Sequence, residues 1–412
     1  MIRLGAPRLW RGAPLTVDLI LMNTTLFLEE ALSRLEQNGL KRTLNDVEGP
    51  QGREIFVNGK RVLNFCSNNY LGLADDGRLR EAAMESLKEE GLGAGASRLV
   101  CGNMASHRRL EEKLTQFKGT ESCLLFSAGY MANLGIITSL CGRGDIIFAD
   151  KLNHASLIDG MILSGARFKR YPHKDMQTLE AWLKDSQDFR KRLIVTDSVF
   201  SMDGDLAPLD KIVALAKKYQ AWVMIDEAHA FGVLGANGKG AAEHFGLEDQ
   251  IDIQMGTLSK AAGAFGAYCC GSKKLISFLI NCARSFIYTT GLPPSVAAAA
   301  GRALEIIQNE PQRRHQLWAW TNLMHQELKR LGFDTLSSQT PIIPILVKDP
   351  HRAVEFSQRL FQKGIFVQAI RPPTVPQNTA RLRFTVMATH RREDLERALE
   401  ALQEIGRELC LI

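Results

Sequence analysis

Ala221-Trp-Val-Met-Ile-Asp226-Glu-Ala-His229 is followed by Thr257-Leu-Ser-Lys260, whose lysine lies 34 residues beyond Asp226. The run 221–225 is apolar and short, which predicts a buried strand. It ends on a carboxylate, and a histidine stands three residues further on. The gap to Lys260 leaves room for one more helix and strand. The lysine itself sits in Ile253-Gln-Met-Gly-Thr-Leu-Ser-Lys260-Ala-Ala-Gly263-Ala-Phe-Gly266. Hydroxyls precede it, small residues follow it, and apolar runs flank both. A lone lysine in a loop is ordinarily solvated. Small neighbours instead allow close approach to a flat ligand, and burial lowers a lysine pKa, making the amine a nucleophile or base.

Outward from this stretch the same unit recurs. Residues 145–150 read as a strand, and Asn153-His154-Ala-Ser156 opens a helix. Residues 192–196 read as a strand, followed by Asp197-Ser-Val-Phe-Ser201-Met-Asp-Gly204-Asp and a helix over 209–219. Residues 122–126 read as a buried strand that leads through Ser127-Ala-Gly129-Tyr130-Met-Ala-Asn133 into an apolar helix. That junction has two readings. It is a serine N-cap, or a helix start whose free N–H groups face a phosphate, with Gly129 letting the backbone come close. Repeated βα units predict a mostly parallel sheet with helices on both faces, and ligands at the carboxyl ends of its strands. His154, Ser201, Asp226, His229 and Lys260 fall just past such ends.

Before this region, 24–38 reads as an amphipathic helix from Leu26, Leu28, Leu32 and Leu35. Residues 54–57 and 61–65 read as a hairpin around Asn58-Gly59. Gly91-Leu-Gly93-Ala-Gly95 is no dinucleotide fingerprint, because a charged helix precedes it rather than a strand; a loop lining a site is expected. After Lys260, 267–270 reads as a strand and 286–294 as a loop. A long helix over 295–308 leads into a smaller α+β lobe, with helices expected at 318–331, 353–363 and 392–405 and strands at 341–347, 365–370 and 381–386. The expected division is an extension at 1–23, poorly ordered, a helix and hairpin segment at 24–70, a large domain at 71–295 and a small domain at 296–412.

The 412 residues suffice for one large domain and a smaller one. The net charge of +6 is spread along the chain, which argues against a nucleic-acid partner and leaves a mild attraction for anionic substrates. The eight cysteines form no CxxC pair, as expected of free thiols in a reducing cytosol. Residues 1–22 hold Arg3, Arg8 and Arg11 with one acid, Asp18; a transit peptide or a start at Met22 would explain them. No membrane span and no metal site is read.

Taken singly, His154 is a helix cap, Asp226 a turn cap and His229 a core histidine. Together with Lys260 they meet the needs of pyridoxal 5′-phosphate (PLP) chemistry: a lysine for the Schiff base, a carboxylate for the pyridine nitrogen, a stacking ring and a helix start for the phosphate. Asp226-Glu-Ala-His229 with Thr257-Leu-Ser-Lys260 resembles the α-oxoamine synthases, which are fold-type I PLP-dependent transferases of aspartate-aminotransferase-like α/β architecture. Ser67-Asn-Asn-Tyr-Leu-Gly72, Asn153-His-Ala-Ser156, Val199-Phe-Ser-Met-Asp-Gly204 and Tyr288-Thr-Thr290 resemble the family's segments in the same order, over about 24–405.

The resemblance implies PLP as cofactor, a cytoplasmic homodimer and an acyltransferase. Lys260, His154, Asp226 and His229 would be catalytic. Gly129, Tyr130, Ser201 and Thr257 would join them around the cofactor, with Thr289 and Thr290 reaching the site of the other subunit. Arg42, His154, Arg371, Thr374 and Asn68 would meet substrate, Arg371 as carboxylate anchor. Ala369-Ile-Arg371-Pro-Pro-Thr374-Val-Pro376 resembles the branch that condenses L-alanine with a pimeloyl thioester, on CoA or a carrier protein, in biotin biosynthesis. A glycine and acetyl-CoA enzyme, a plain aminotransferase and a lysine-less partner subunit are the alternatives; the last is opposed by Lys260.

Overall fold

The structure is a computed structural model and describes residues 24–412. The expectations for residues 1–23, including a start at Met22, lie outside the described residues. The segment ending at Leu44 is a unit by itself, and Asn45–Ile412 is a second. In the first, the expected helix runs Thr24–Gln37, with Leu28, Leu32 and Leu35 exposed on one face.

Among the described residues of the larger unit, seven strands form the main sheet. Their spatial order is Ser122–Phe126, Ala267–Gly271, Ile253–Thr257, Trp222–Asp226, Arg192–Asp197, Ile146–Asp150 and Arg167–Tyr171. All pairings are parallel except those of Ala267–Gly271, which is antiparallel to both neighbours. The nine residues between Thr257 and Ala267 are too few for a crossover, so the chain turns straight back. Gly263 makes that turn possible. Its φ is +64°, its N–H bonds the Lys260 carbonyl at 2.9 Å, and a Cβ there would lie 2.3 Å from Ala74 N.

Alternation within the strands builds two cores. Ile146, Phe148, Ile194, Val223 and Ile225 face one, while Ile147, Ala149, Leu193, Val195 and Met224 face the other. Each fully buried Val, Leu, Ile, Phe or Met among them contributes about 1.5–3 kcal/mol. A sheet buried on both faces explains why its strands read as apolar runs. The helix Pro294–Asn309 packs on Gly77–Glu90 and Ala105–Lys118. Ala297, Ala300, Gly301 and Ala303 are buried on it.

The smaller C-terminal domain carries an antiparallel sheet of Ile342–Lys348, Ala380–Thr385 and Gln368–Ile370. The single strand expected at 365–370 divides in two. Ile365–Phe366 instead runs parallel to Lys60–Asn64, joining the N-terminal hairpin. In that hairpin Asn58 and Gly59 both have positive φ, as a two-residue turn requires. Cys123, Cys141, Cys269 and Cys270 are buried free thiols, whereas Cys101, Cys282 and Cys410 are exposed. No helix among the described residues is long and apolar enough to cross a membrane, and none of their His, Cys, Asp and Glu side chains cluster as a metal site.

Candidate active site

The parallel strands end side by side. Asp197 pairs in register with Asp226, and Asp226 with Met255. Past these ends lies a cavity of about 200 Å³. It is lined by Gly129, Tyr130, His154, Ser201, Asp226, His229, Thr257 and Lys260, so eight of the expected site residues converge. Asn133, Ser156, Asp197, Ala228, Met255 and Ser259 complete the wall. A larger hollow of about 1080 Å³ opens at the opposite, amino ends of the strands, near Trp222 and Phe278, far from Lys260 in the topology.

Asp226 is buried, and both of its oxygens accept hydrogen bonds: Oδ1 from Ala228 N at 2.8 Å and Oδ2 from Asn133 Nδ2 at 2.8 Å. The turn cap and the site carboxylate are thus the same group. Behind it Glu227 is fully buried and ion-paired to buried Lys118. Glu227 Oε1 also accepts from Ala242 N at 3.0 Å. These contacts hold the turn that carries Asp226 and His229. Asp197 is a second buried carboxylate. Burial, then the Asp226 charge, hold its carboxyl well above the usual range. It accepts from His154 N at 2.7 Å, and His154 caps the helix Ala155–Ser164.

Burial pushes the Lys260 amine down to about 8, against the pull of Asp226, and Arg383 adds to the depression. Lys260 Nζ lies 2.9 Å from His229 Nε2, and His229 Nδ1 lies 2.7 Å from Tyr70 OH. Tyr70 OH donates to Asn68 Oδ1 at 3.4 Å, which also accepts from Arg383 Nη2 at 3.0 Å. A tyrosine that donates there accepts from His229 Nδ1–H, leaving Nε2 as acceptor for the lysine. Burial, then the Lys260 and Arg383 charges, hold His229 well below the ordinary histidine value.

The helix Gly129–Leu140 starts at the cavity. Its N-cap is Ala128, and no side chain caps it, so the serine-cap reading is replaced by an open helix start. A Cβ on Gly129 would lie 3.3 Å from Met255 Cε and 3.9 Å from Thr257 Cβ. The Thr257 hydroxyl lies 2.8 Å from Ser259 Oγ and donates to Gly266 O at 3.0 Å. An uncapped helix start, a glycine cradle and two hydroxyls suit a phosphate; a buried carboxylate suits a protonated ring nitrogen; a depressed lysine suits a carbonyl. The donor set fits PLP.

Other expected residues stand apart. Thr289 and Thr290 border a separate small cleft with Arg98 and Ser127, and Ser127 Oγ donates to Thr290 O at 3.3 Å. Arg371 and Thr374 lie on the loop holding the cis Pro372-Pro373 bond, Arg371 half-buried and Thr374 exposed. Arg42 is exposed and belongs to the first unit. Asn68 reaches the site through Tyr70. Reading the sequence missed Asn133, Ser156, Asp197, Ser259, Tyr70 and Arg383. Asn133 carried a signal, being a polar residue one turn past Gly129 in an apolar helix. Arg383 carried none. It is buried, with bonds to Ser201 O at 2.7 Å, Thr385 Oγ1 at 3.2 Å and Asn68, all neutral acceptors.

This architecture and cavity define a fold-type I PLP-dependent enzyme. The chain belongs to the aminotransferase class I and II family, whose model matches residues 60–402. It is 51% identical over 383 residues to the 8-amino-7-oxononanoate synthase of Geobacter sulfurreducens, covering 92% of this chain and 98% of that one. Among solved structures it superposes on the serine palmitoyltransferase of S. paucimobilis bearing PLP and myriocin, with TM-score 0.90 and 33% identity over 96% of this chain and 100% of that one. It also superposes on the 8-amino-7-oxononanoate synthase of Francisella tularensis, with TM-score 0.74 and 30% identity over 84% and 98% of the two chains.

Proposed function

We propose that this chain condenses L-alanine with a pimeloyl thioester, releasing 8-amino-7-oxononanoate, carbon dioxide and the thiol. The observation that carries the chemistry is the pairing of buried Asp226 with the depressed Lys260 amine in one cavity. The substrate pair rests on the relatives of about half identity and on the stretch 369–376.

PLP, when bound, supplies an electron sink for the bonds broken at the alanine Cα. Lys260 would hold it, Asp226 would keep its ring nitrogen protonated, and His154 would cover a ring face. Ser201 and His229 would bind the ring oxygen, and Gly129, Tyr130 and Thr257 the phosphate. The Lys260 amine, released when the alanine amine takes its place, would then remove the Cα proton. The Cα forms a bond to the thioester carbonyl carbon and the thiolate leaves. The alanine carboxylate departs as carbon dioxide, and Lys260 returns a proton to Cα.

Arg371 is one candidate anchor for the carboxylate. Arg383 is better supported, because its charge acts on Lys260 and its own bonds run to neutral acceptors. Thr374 and Asn68 would contact the substrate. A homodimer in which Thr289 and Thr290 serve the partner's cavity accords with their separate cleft in their own chain.

The decisive assay is carbon dioxide release from alanine with pimeloyl-CoA, compared with glycine and acetyl-CoA. Lys260→Ala should reduce turnover below detection while PLP still binds noncovalently. Full activity in that variant defeats the assignment, and a keto acid formed without carbon dioxide would mark a plain aminotransferase.

A further inference from the structure

Asn133 lies one turn into the helix Gly129–Leu140, 1% exposed, among Ala132, Gly135, Ile136 and Ile137. Its Nδ2 donates twice, to Asp226 Oδ2 at 2.8 Å and to Ser156 Oγ at 2.8 Å. Both N–H groups are therefore used, while the buried Oδ1 has no hydrogen-bond partner. An orphaned carbonyl is unfavourable, and a leucine would pack here without one. The opposite amide orientation would set Oδ1 against a carboxylate oxygen, acceptor on acceptor. Asp226 thus fixes the amide.

The consequence passes on to His154. Ser156 Oγ accepts from Asn133, which leaves its O–H free to donate to His154 Nδ1 at 2.8 Å. Ser156 N–H points at the same nitrogen at 3.3 Å. A nitrogen that receives two donors carries no proton, so neutral His154 is protonated on Nε2.

We propose that Asn133 is a positioning residue that sets both cofactor-facing groups at once: it orients the Asp226 carboxylate and, through Ser156, holds His154 as the Nε2–H tautomer. The proposal rests on reading this cavity as the PLP site. It is tested on the full chain labelled with ¹⁵N-histidine, with and without PLP. Long-range ¹H–¹⁵N spectra report which ring nitrogen is protonated, a His154→Gln sample identifies the signal, and equilibrium dialysis gives the PLP dissociation constant.

Wild type should show Nε2–H. Asn133→Leu frees the Ser156 hydroxyl to turn away from His154, so it should weaken that preference and bind PLP about tenfold or more weakly, the loss expected when a charged hydrogen bond is removed. Ser156→Ala removes the shorter of the two donors but keeps the backbone N–H, so the Nε2–H preference should weaken to a mixture of tautomers, while PLP affinity stays within about threefold because the Asn133 to Asp226 bond survives. A soluble Asn133→Leu with wild-type His154 signals and wild-type PLP affinity overturns the proposal. If Asn133→Leu does not accumulate, Ser156→Ala decides: an unchanged His154 tautomer overturns it. A wild-type chain that fails to bind PLP defeats the site reading instead, while the PLP-free spectra still test the relay.

Discussion

Burial lowers the Lys260 amine to about 8, although Asp226 pulls the other way. An unfolded lysine titrates near about 10.4. Below pH 8 both states are protonated, and the native state bears the full cost of a buried cation. Between the two values the unfolded chain binds more protons, so this group's contribution to stability rises with pH. The same shift sets reactivity, because the nucleophilic form is the neutral amine. In the PLP-free chain, brief acylation followed by peptide mass spectrometry should show Lys260 labelling rise with a midpoint near pH 8. A lysine in an added unstructured peptide should rise only toward about pH 10.4. Parallel labelling curves for the two lysines would refute the buried-amine description.

Two elements carry separable demands. The first residue of the helix Gly129–Leu140 is a glycine, where alanine would ordinarily gain up to about 1 kcal/mol of helix propensity. The added methyl would press on the flexible end of Met255 and lie 4.0 Å from the Thr257 hydroxyl, taking up space at the mouth of the helix start. Gly129→Ala should therefore keep or slightly raise the melting temperature of the PLP-free chain while weakening PLP about tenfold, read by dialysis. A fall in both would mean that the glycine serves the fold. The second case is His173, between the strand-end Asp150 at 3.0 Å and Asp205 at 2.9 Å. Asp205 lies in the turn that follows Ser201. Burial opposes the imidazolium, but the two carboxylates outweigh it and raise His173 to about 9. A raised value stabilises fully below about pH 6.5 and is lost as pH climbs through 9. His173→Gln should cost about 2–3 kcal/mol at pH 6, with the gap in urea midpoint narrowing by pH 10. A gap independent of pH would remove the charged bridge from the account.

At the scale of the whole molecule, what was legible followed burial. Strands covered on both faces, such as Ile146–Asp150 and Trp222–Asp226, announced themselves as apolar runs, and the site residues at their ends came with them. The edge strand Arg167–Tyr171 was missed because Arg167, Lys169 and Arg170 leave only Tyr171 buried, as an edge requires. Tyr70 and Arg383 were missed because the fold alone brings them to His229 and Asn68, from opposite ends of the chain. Thr289 and Thr290 present the complementary case: expected in the site, they border a different cleft of their own chain. If they complete the cavity of a second copy, each site draws on two chains, and inactive variants should rescue one another. Lys260→Ala lacks the amine but has the threonines; Thr289→Ala/Thr290→Ala has the amine but lacks them. Mixed by reversible unfolding at equal amounts, half the dimers would be mixed, and one of their two sites would be whole. Activity should return to about a quarter of the wild-type level. Activity equal to the average of the separate variants would mean that the threonines act within their own chain or not at all, and the two-chain site would have to be abandoned.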